Sequence, residues 1–125
     1  MANDAAESLR KKYLCRNDLE PQTIADGART VSLGDRNWAI LSQALQGIFE
    51  ITEKEIIGSM YLLATYGLRV EPTGALSVAA GIRYLTSNPK RVVGCVLSGG
   101  NVDDTVYELL FRQGRDVYSN MNFWR

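Results

Sequence analysis

Residues 91–97 read R-V-V-G-C-V-L, an apolar run interrupted by a single glycine. A short run of this kind, rich in β-branched residues, suits a strand covered on both faces, as in a parallel sheet. Such a strand needs neighbours on both sides. The chain offers only two or three strand candidates, at 48–52, 68–70 and 91–97, and few of them look central. That is a thin sheet for an α/β architecture. The expectation is therefore α/β: a partial three-layer α/β/α domain with a small, mostly parallel sheet, and not a whole domain.

Helices are expected between these stretches. Asn3 or Asp4 can cap a short helix over 5–13, where a side-chain oxygen satisfies free N–H groups. Residues 15–36 read as loop and turn, punctuated by Asn17, Asp18, Pro21, Gly27, Gly34 and Asp35. Asn37 is a candidate cap for a helix carrying Trp38, Ile40, Leu41 and Leu45. Thr52 and Glu55 form a T-x-x-E capping box ahead of Ile56, Ile57, Met60 and Leu63, with Gly67 as the stop. Pro72 suits the first turn of a helix over 73–85. That helix is rich in small residues (Gly74, Ala75, Ser77, Ala79, Ala80, Gly81), which permit close backbone approach. Asp103 and Asp104 can start a last helix over Val106, Leu109, Leu110 and Phe111.

Composition excludes several classes. At 125 residues the chain can bury a modest core, and 46% hydrophobic with 22% charged residues is ordinary globular composition. Lys plus Arg is 14 and Asp plus Glu is 14, so the formal charge is zero, which argues against a nucleic-acid partner. There is no histidine, which removes Ser-His-Asp and Cys-His catalysis and most zinc sites. Cys15 and Cys95 make no CxxC and read as free thiols of a reducing compartment. The polar N-terminus is no signal peptide, and no apolar run approaches the ~20 residues that span a bilayer. A cytoplasmic protein without a membrane partner is expected.

Three segments are candidates for chemistry. Leu97-Ser98-Gly99-Gly100-Asn101 follows the apolar run, and open α/β sheets bind ligands at the carboxyl ends of strands. Two glycines allow close backbone approach, and the Ser98 hydroxyl can donate or accept a hydrogen bond. Spacing alone leaves a ligand site and a plain tight turn equally open. Glu71-Pro72-Thr73-Gly74-Ala75 sets a carboxylate at a helix N-terminus, where the macrodipole favours anions. On the residues alone the plainer reading, an ordinary acid at a helix start, leads. The Asp26-Gly27 pair in Thr23-Ile24-Ala25-Asp26-Gly27 is a common turn signal, and the turn reading leads there too. Lys11, Lys12, Lys54 and Lys90 stand in polar settings and read as solvated, not as sheltered Schiff-base nucleophiles. No GxxxxGK[ST] or GxGxxG phosphate cradle is present, so no catalytic residue is assigned.

Four motifs stand in order: T-I-A-D-G (23–27), I-F-E-I-T-E-K-E-I (48–56), V-E-P-T-G-A (70–75) and V-L-S-G-G-N-V-D (96–103). Together they resemble the carboxyl-terminal part of threonine/serine dehydratases and serine racemase, fold-type II pyridoxal-phosphate enzymes of the wider tryptophan synthase β-like group. The resemblance runs over about 2–104 and leaves 105–125 as an unassigned tail of a single partial domain over 1–125. It implies that Ser98, with Gly99, faces the pyridine nitrogen of pyridoxal 5'-phosphate. A hydroxyl there enforces no pyridinium, so the ring is a milder electron sink, which fits β-elimination. It also implies that Glu71 lies near the cofactor, that Asp26 and Gly27 lie on the substrate side, and that Asn101 matches a nucleotide-effector contact of some relatives. Ala2 and Asp4 match two of the oxygen ligands of a Mg2+ or Ca2+ site, and two are too few without many waters.

The family's Schiff-base lysine segment, its S-x-G-N-H substrate loop and its tetraglycine phosphate loop lie upstream of these motifs and are absent here. The expectation is thus a carboxyl-terminal fragment, by truncation or from a split gene, of a threonine/serine ammonia-lyase that gives a 2-oxo acid and ammonia. Alone it is expected to be inactive and not to bind the cofactor. Its expected partners are a small amino-acid substrate of the parent, the missing amino-terminal portion and further copies in a homo-oligomer. The alternative is a non-catalytic binding or assembly module that oligomerises or docks on a complementary chain, since an unpaired strand edge is an association template. The terminal Phe123-Trp124-Arg125 has no assigned role.

Overall fold

The T-x-x-E signature at Thr52 forms a complete capping box. In the computed structural model, which describes residues 2–120, the Thr52 hydroxyl accepts the Glu55 N–H and the Glu55 carboxylate accepts the Thr52 N–H. The helix it opens belongs to the second of two units into which the chain divides, Met1–Glu50 and Ile51–Arg125.

In the first unit, α1 (Asp4–Lys11) carries acids in its first turn and bases in its last, the arrangement that complements the helix dipole. It ends two residues earlier than the sequence predicts, because Lys12 turns into the left-handed region at φ 62°. Asn3 makes no side-chain cap. The Ser8 hydroxyl donates to the Asp4 carbonyl at 2.6 Å and accepts the Cys15 N–H at 2.8 Å, so it ties the returning loop to the helix. A short 3₁₀ turn covers Asp26–Ala28. α2 (Asp35–Ala44) starts two residues before the expected Asn37 cap, with Gly34 in the cap position and its carbonyl accepting the Trp38 N–H. Residues 48–52 form no strand.

In the second unit, α3 (Glu53–Thr65) packs against both α4 (Pro72–Ser87) and α5 (Asp104–Asn120). Ile56, Met60 and Leu63 recur at helical spacing and are buried with Ile57; each side chain contributes roughly 1.5–3 kcal/mol through burial. Gly67, at φ 74°, is the expected left-handed stop of α3. Pro72 occupies the first turn of α4, as its missing N–H allows. Asp103 caps α5, its carboxylate accepting the N–H groups of Thr105 and Val106. Most of the tail expected as unassigned is thus helix; Phe123-Trp124-Arg125 lies outside the described residues.

The sheet is where expectation and structure part. No strand forms among the described residues. Residues 92–99 run along α4, with the Ser77 hydroxyl donating to the Val96 carbonyl at 2.7 Å and the Cys95 thiol seated against Gly81. Their other side is open: Val92 is 100% and Val96 76% exposed. The physical reason is a shortage of partners. The 68–71 stretch meets this segment through one backbone bond, Glu71 N–H to Gly99 O at 3.1 Å, and one bond makes no ladder.

Candidate functional site

α4 begins at Pro72, and the 92–99 segment returns to that same end. The meeting point is built from glycines. A Cβ placed on Gly74 would stand 2.5 Å from the Gly99 carbonyl oxygen, and one on Gly99 would stand 2.5 Å from the Glu71 carboxylate. A side chain on Gly74 would push the loop backbone off the helix, while one on Gly99 would displace the Glu71 carboxylate. The pair of glycines in Ser98-Gly99-Gly100-Asn101 thus serves close approach, one of the two readings the sequence left open.

Glu71 occupies the cap position of α4 yet caps nothing in its own helix. Its carboxylate instead accepts the Asn101 N–H at 3.0 Å. Arg69, two residues earlier, donates to the Val102 carbonyl at 3.0 Å, reaches Asp104 at 2.6 Å and lies 4.4 Å from the centroid of the Tyr107 ring. The loop is therefore pinned along its length. Ser98 at its head is exposed, and its hydroxyl makes no hydrogen bond among the described residues. A fixed backbone with a free hydroxyl suits recognition of one polar atom of a ligand, such as a ring nitrogen.

The remaining sequence candidates fall elsewhere. Asp26 and Gly27 are both exposed in the first unit's 3₁₀ turn, where the Asp26 carboxylate accepts the Gly27 N–H at 2.9 Å. This is a local Asp-Gly turn. Ala2 is exposed, while Asp4 is buried with its carboxylate 3.4 Å from the Asn17 side-chain amide. No group of three or more His, Cys, Asp or Glu able to hold a metal occurs among the described residues. Lys11, Lys12, Lys54 and Lys90 are all exposed, as the sequence predicts. Sequence reasoning missed Arg69. A lone arginine between Leu68 and Val70 in a β-prone stretch was the available signal.

One ion pair joins α3 to α4. Glu55 on α3 is buried and bonded to Arg83 on α4, with Arg83 Nε donating to a carboxylate oxygen at 2.9 Å. Burial alone pushes the Glu55 carboxyl up, but the bonds from Arg83 and Thr52 together outweigh it and hold the group below its ordinary value.

An extended segment laid on a helix and turning through a glycine loop at the helix start is an arrangement that α/β folds use to bind ligands. Comparison with known proteins gives that class its members. Serine racemase of Schizosaccharomyces pombe is 36% identical over 102 residues, covering 81% of this chain and 31% of that protein. L-threo-3-hydroxyaspartate ammonia-lyase of Saccharomyces cerevisiae is 34% identical over 115 residues, 91% of this chain and 35% of that protein. Among solved structures, a threonine deaminase from T.th. superposes with a TM-score of 0.72 at 39% identity over 82% of this chain and 37% of its own. No family model matches the chain. The chain is homologous to part of the fold-type II pyridoxal-phosphate enzymes that include serine racemase, threonine deaminase and hydroxyaspartate ammonia-lyase, and it spans about a third of the curated relatives' length. No helix among the described residues is long and apolar enough to cross a membrane.

Proposed function

We propose that the chain is the carboxyl-terminal portion of a pyridoxal-phosphate-dependent ammonia-lyase acting on a small hydroxy amino acid, threonine or serine, and that it supplies the loop facing the cofactor's pyridine nitrogen. The observation that carries this reading is Ser98: its hydroxyl is exposed and free, at the head of a loop fixed by Glu71. When bound, the cofactor supplies the electron sink for the substrate's α-carbon. Ser98 donates one hydrogen bond to the ring nitrogen without supplying a charge. Gly99 lets the loop pass close to the helix start, and Glu71 holds the loop and sets a negative charge beside the site. Asn101, exposed in the same loop, is read as the nucleotide-effector contact. Asp26 and Gly27 are read as a substrate-side turn, and the enzyme as cytoplasmic and homo-oligomeric.

The chain's residues fit only the nitrogen end of the cofactor. They supply neither a sheltered lysine nor a phosphate cradle. The chain by itself is therefore expected to be inactive. Incubating the pure 125-residue chain with pyridoxal phosphate and L-threonine or L-serine tests this, with visible absorbance of bound cofactor and release of 2-oxobutyrate or pyruvate as readouts. Neither signal is expected; robust turnover would refute the assignment of the anchor to other sequence.

A second reading has its own support. Val92, Val96 and Leu97 leave an extended apolar edge open at 100%, 76% and 38% exposure. A non-catalytic assembly module would use that edge to bind a complementary chain or another copy. Sedimentation of the pure chain tests self-assembly: a dispersed monomer at high concentration counts against it.

A further inference from the structure

We propose that Arg69 is a positioning residue: from the stretch ahead of α4 it ties down the exit of the 98–101 loop and so fixes where Ser98 is presented. This rests on the reading of Ser98 given above. The Arg69 guanidinium makes three contacts with the chain just past Asn101: the Val102 carbonyl at 3.0 Å, the Asp104 carboxylate at 2.6 Å and the Tyr107 ring at 4.4 Å from its centroid. The backbone of the same residue reaches the loop, since the Arg69 carbonyl stands 3.1 Å from where a Cβ on Gly100 would be. Glu71 holds Gly99 and Asn101. The 69–71 stretch therefore grips residues 99–107 through the Arg69 guanidinium, the Glu71 carboxylate and the Glu71 backbone N–H, and Ser98 is the first residue outside that grip.

The three contacts are unequal. The Asp104 side chain is 91% exposed and that of Arg69 45%, so their ion pair is screened and contributes little. The carbonyl bond and the stacking on Tyr107 carry the hold. A planar guanidinium can make both at once; a lysine ammonium cannot.

The test has two arms. In the cofactor-free protein, hydrogen exchange at the amides of 99–102 is compared for wild type, Arg69→Met, Arg69→Lys and Asp104→Asn. Arg69→Met is expected to raise exchange about fivefold or more, Arg69→Lys to give a smaller rise, and Asp104→Asn to stay within about twofold, with α3 amides unchanged throughout. Unchanged loop exchange in Arg69→Met, or an equal rise in α3, overturns the proposal. If Arg69→Met loses its helical circular dichroism, Tyr107→Leu is read instead: raised loop exchange supports the hold and wild-type exchange overturns it. In the pyridoxal-phosphate-loaded holoenzyme formed when this chain is joined to the portion that supplies the lysine and the phosphate cradle, Arg69→Met is expected to shift the cofactor's fluorescence and weaken its binding several-fold, with Arg69→Lys recovering part of both. A loosened loop with unaltered cofactor emission overturns the positioning role alone, provided that Ser98→Ala moves the emission. If Ser98→Ala leaves it unmoved as well, the proposed function itself falls.

Discussion

Glu71 and Asn101, 30 residues apart in the chain, are joined by a 3.0 Å bond from the Asn101 N–H to the Glu71 carboxylate. A helix-start acid has been turned outward to hold a loop, and the negative end of the bond sits where α4's dipole favours it. Glu71→Ala removes the acceptor and is expected to cost about 1 kcal/mol, less than the ~1.5–3 kcal/mol of a bond to a charged group because the site is exposed to water. Urea unfolding and loop hydrogen exchange check it. Glu71→Gln keeps an acceptor oxygen and is expected to lose less than half as much.

Gly74 allows no side chain. Alanine would gain about 1 kcal/mol in helix propensity, but its Cβ would meet the Gly99 carbonyl at 2.5 Å, and relieving such overpacking costs about 1–3 kcal/mol. The clash wins. Gly74→Ala is expected to lower the unfolding midpoint and loosen the loop, and Gly74→Val to do so more strongly. Gly47→Ala, with nothing within 4 Å of the new Cβ, is expected to change stability by less than about 0.5 kcal/mol.

Arg83→Met leaves the buried Glu55 carboxylate without its main partner. Breaking a fully buried pair costs about 3–5 kcal/mol. The Arg83 side chain is 32% exposed, so about 2 kcal/mol is the expected loss in urea unfolding. The double variant Arg83→Met with Glu55→Met is expected to recover much of it, since burial then carries no charge.

The same pair sets a pH dependence. The folded-state Glu55 carboxyl lies below its unfolded value, so its bonds with Arg83 and Thr52 contribute fully above the unfolded pKa, near 4.5. That contribution is lost as pH falls through the folded-state value. Thermal midpoints are expected to be insensitive to Glu55 between pH 7 and about 5.5 and to decline below roughly pH 4.5, with a shallower decline in Glu55→Gln.

Local signals in the sequence were read correctly where local physics decides. The Thr52 box, the Gly67 stop, Pro72 at the start of α4 and Asp103 at the start of α5 each satisfy backbone groups within a few residues. The α2 start was misplaced because Gly34 and Asp35 already suffice ahead of Asn37. The apolar run at 91–97 was legible as extended chain but not as a lone one, since a ladder depends on partners that no local pattern reports. Long-range ties escaped the sequence reading for the same reason: Glu55 with Arg83, and Arg69 with Tyr107, depend on how the helices pack. The Ser98–Asn101 loop was picked out by its glycines and its place after the run, but the structure adds what holds it.

The most direct test of the central claim is the affinity and fluorescence of pyridoxal phosphate in the holoenzyme formed when this chain, carrying Ser98→Ala or Ser98→Thr, is joined to the portion that supplies the lysine and the phosphate cradle. Losing one hydrogen bond to the ring nitrogen is worth about 1 kcal/mol. The account expects Ser98→Ala to weaken cofactor binding by roughly five- to tenfold and to shift its emission, with Ser98→Thr, which keeps the hydroxyl, close to wild type. Wild-type affinity and emission in Ser98→Ala would contradict it.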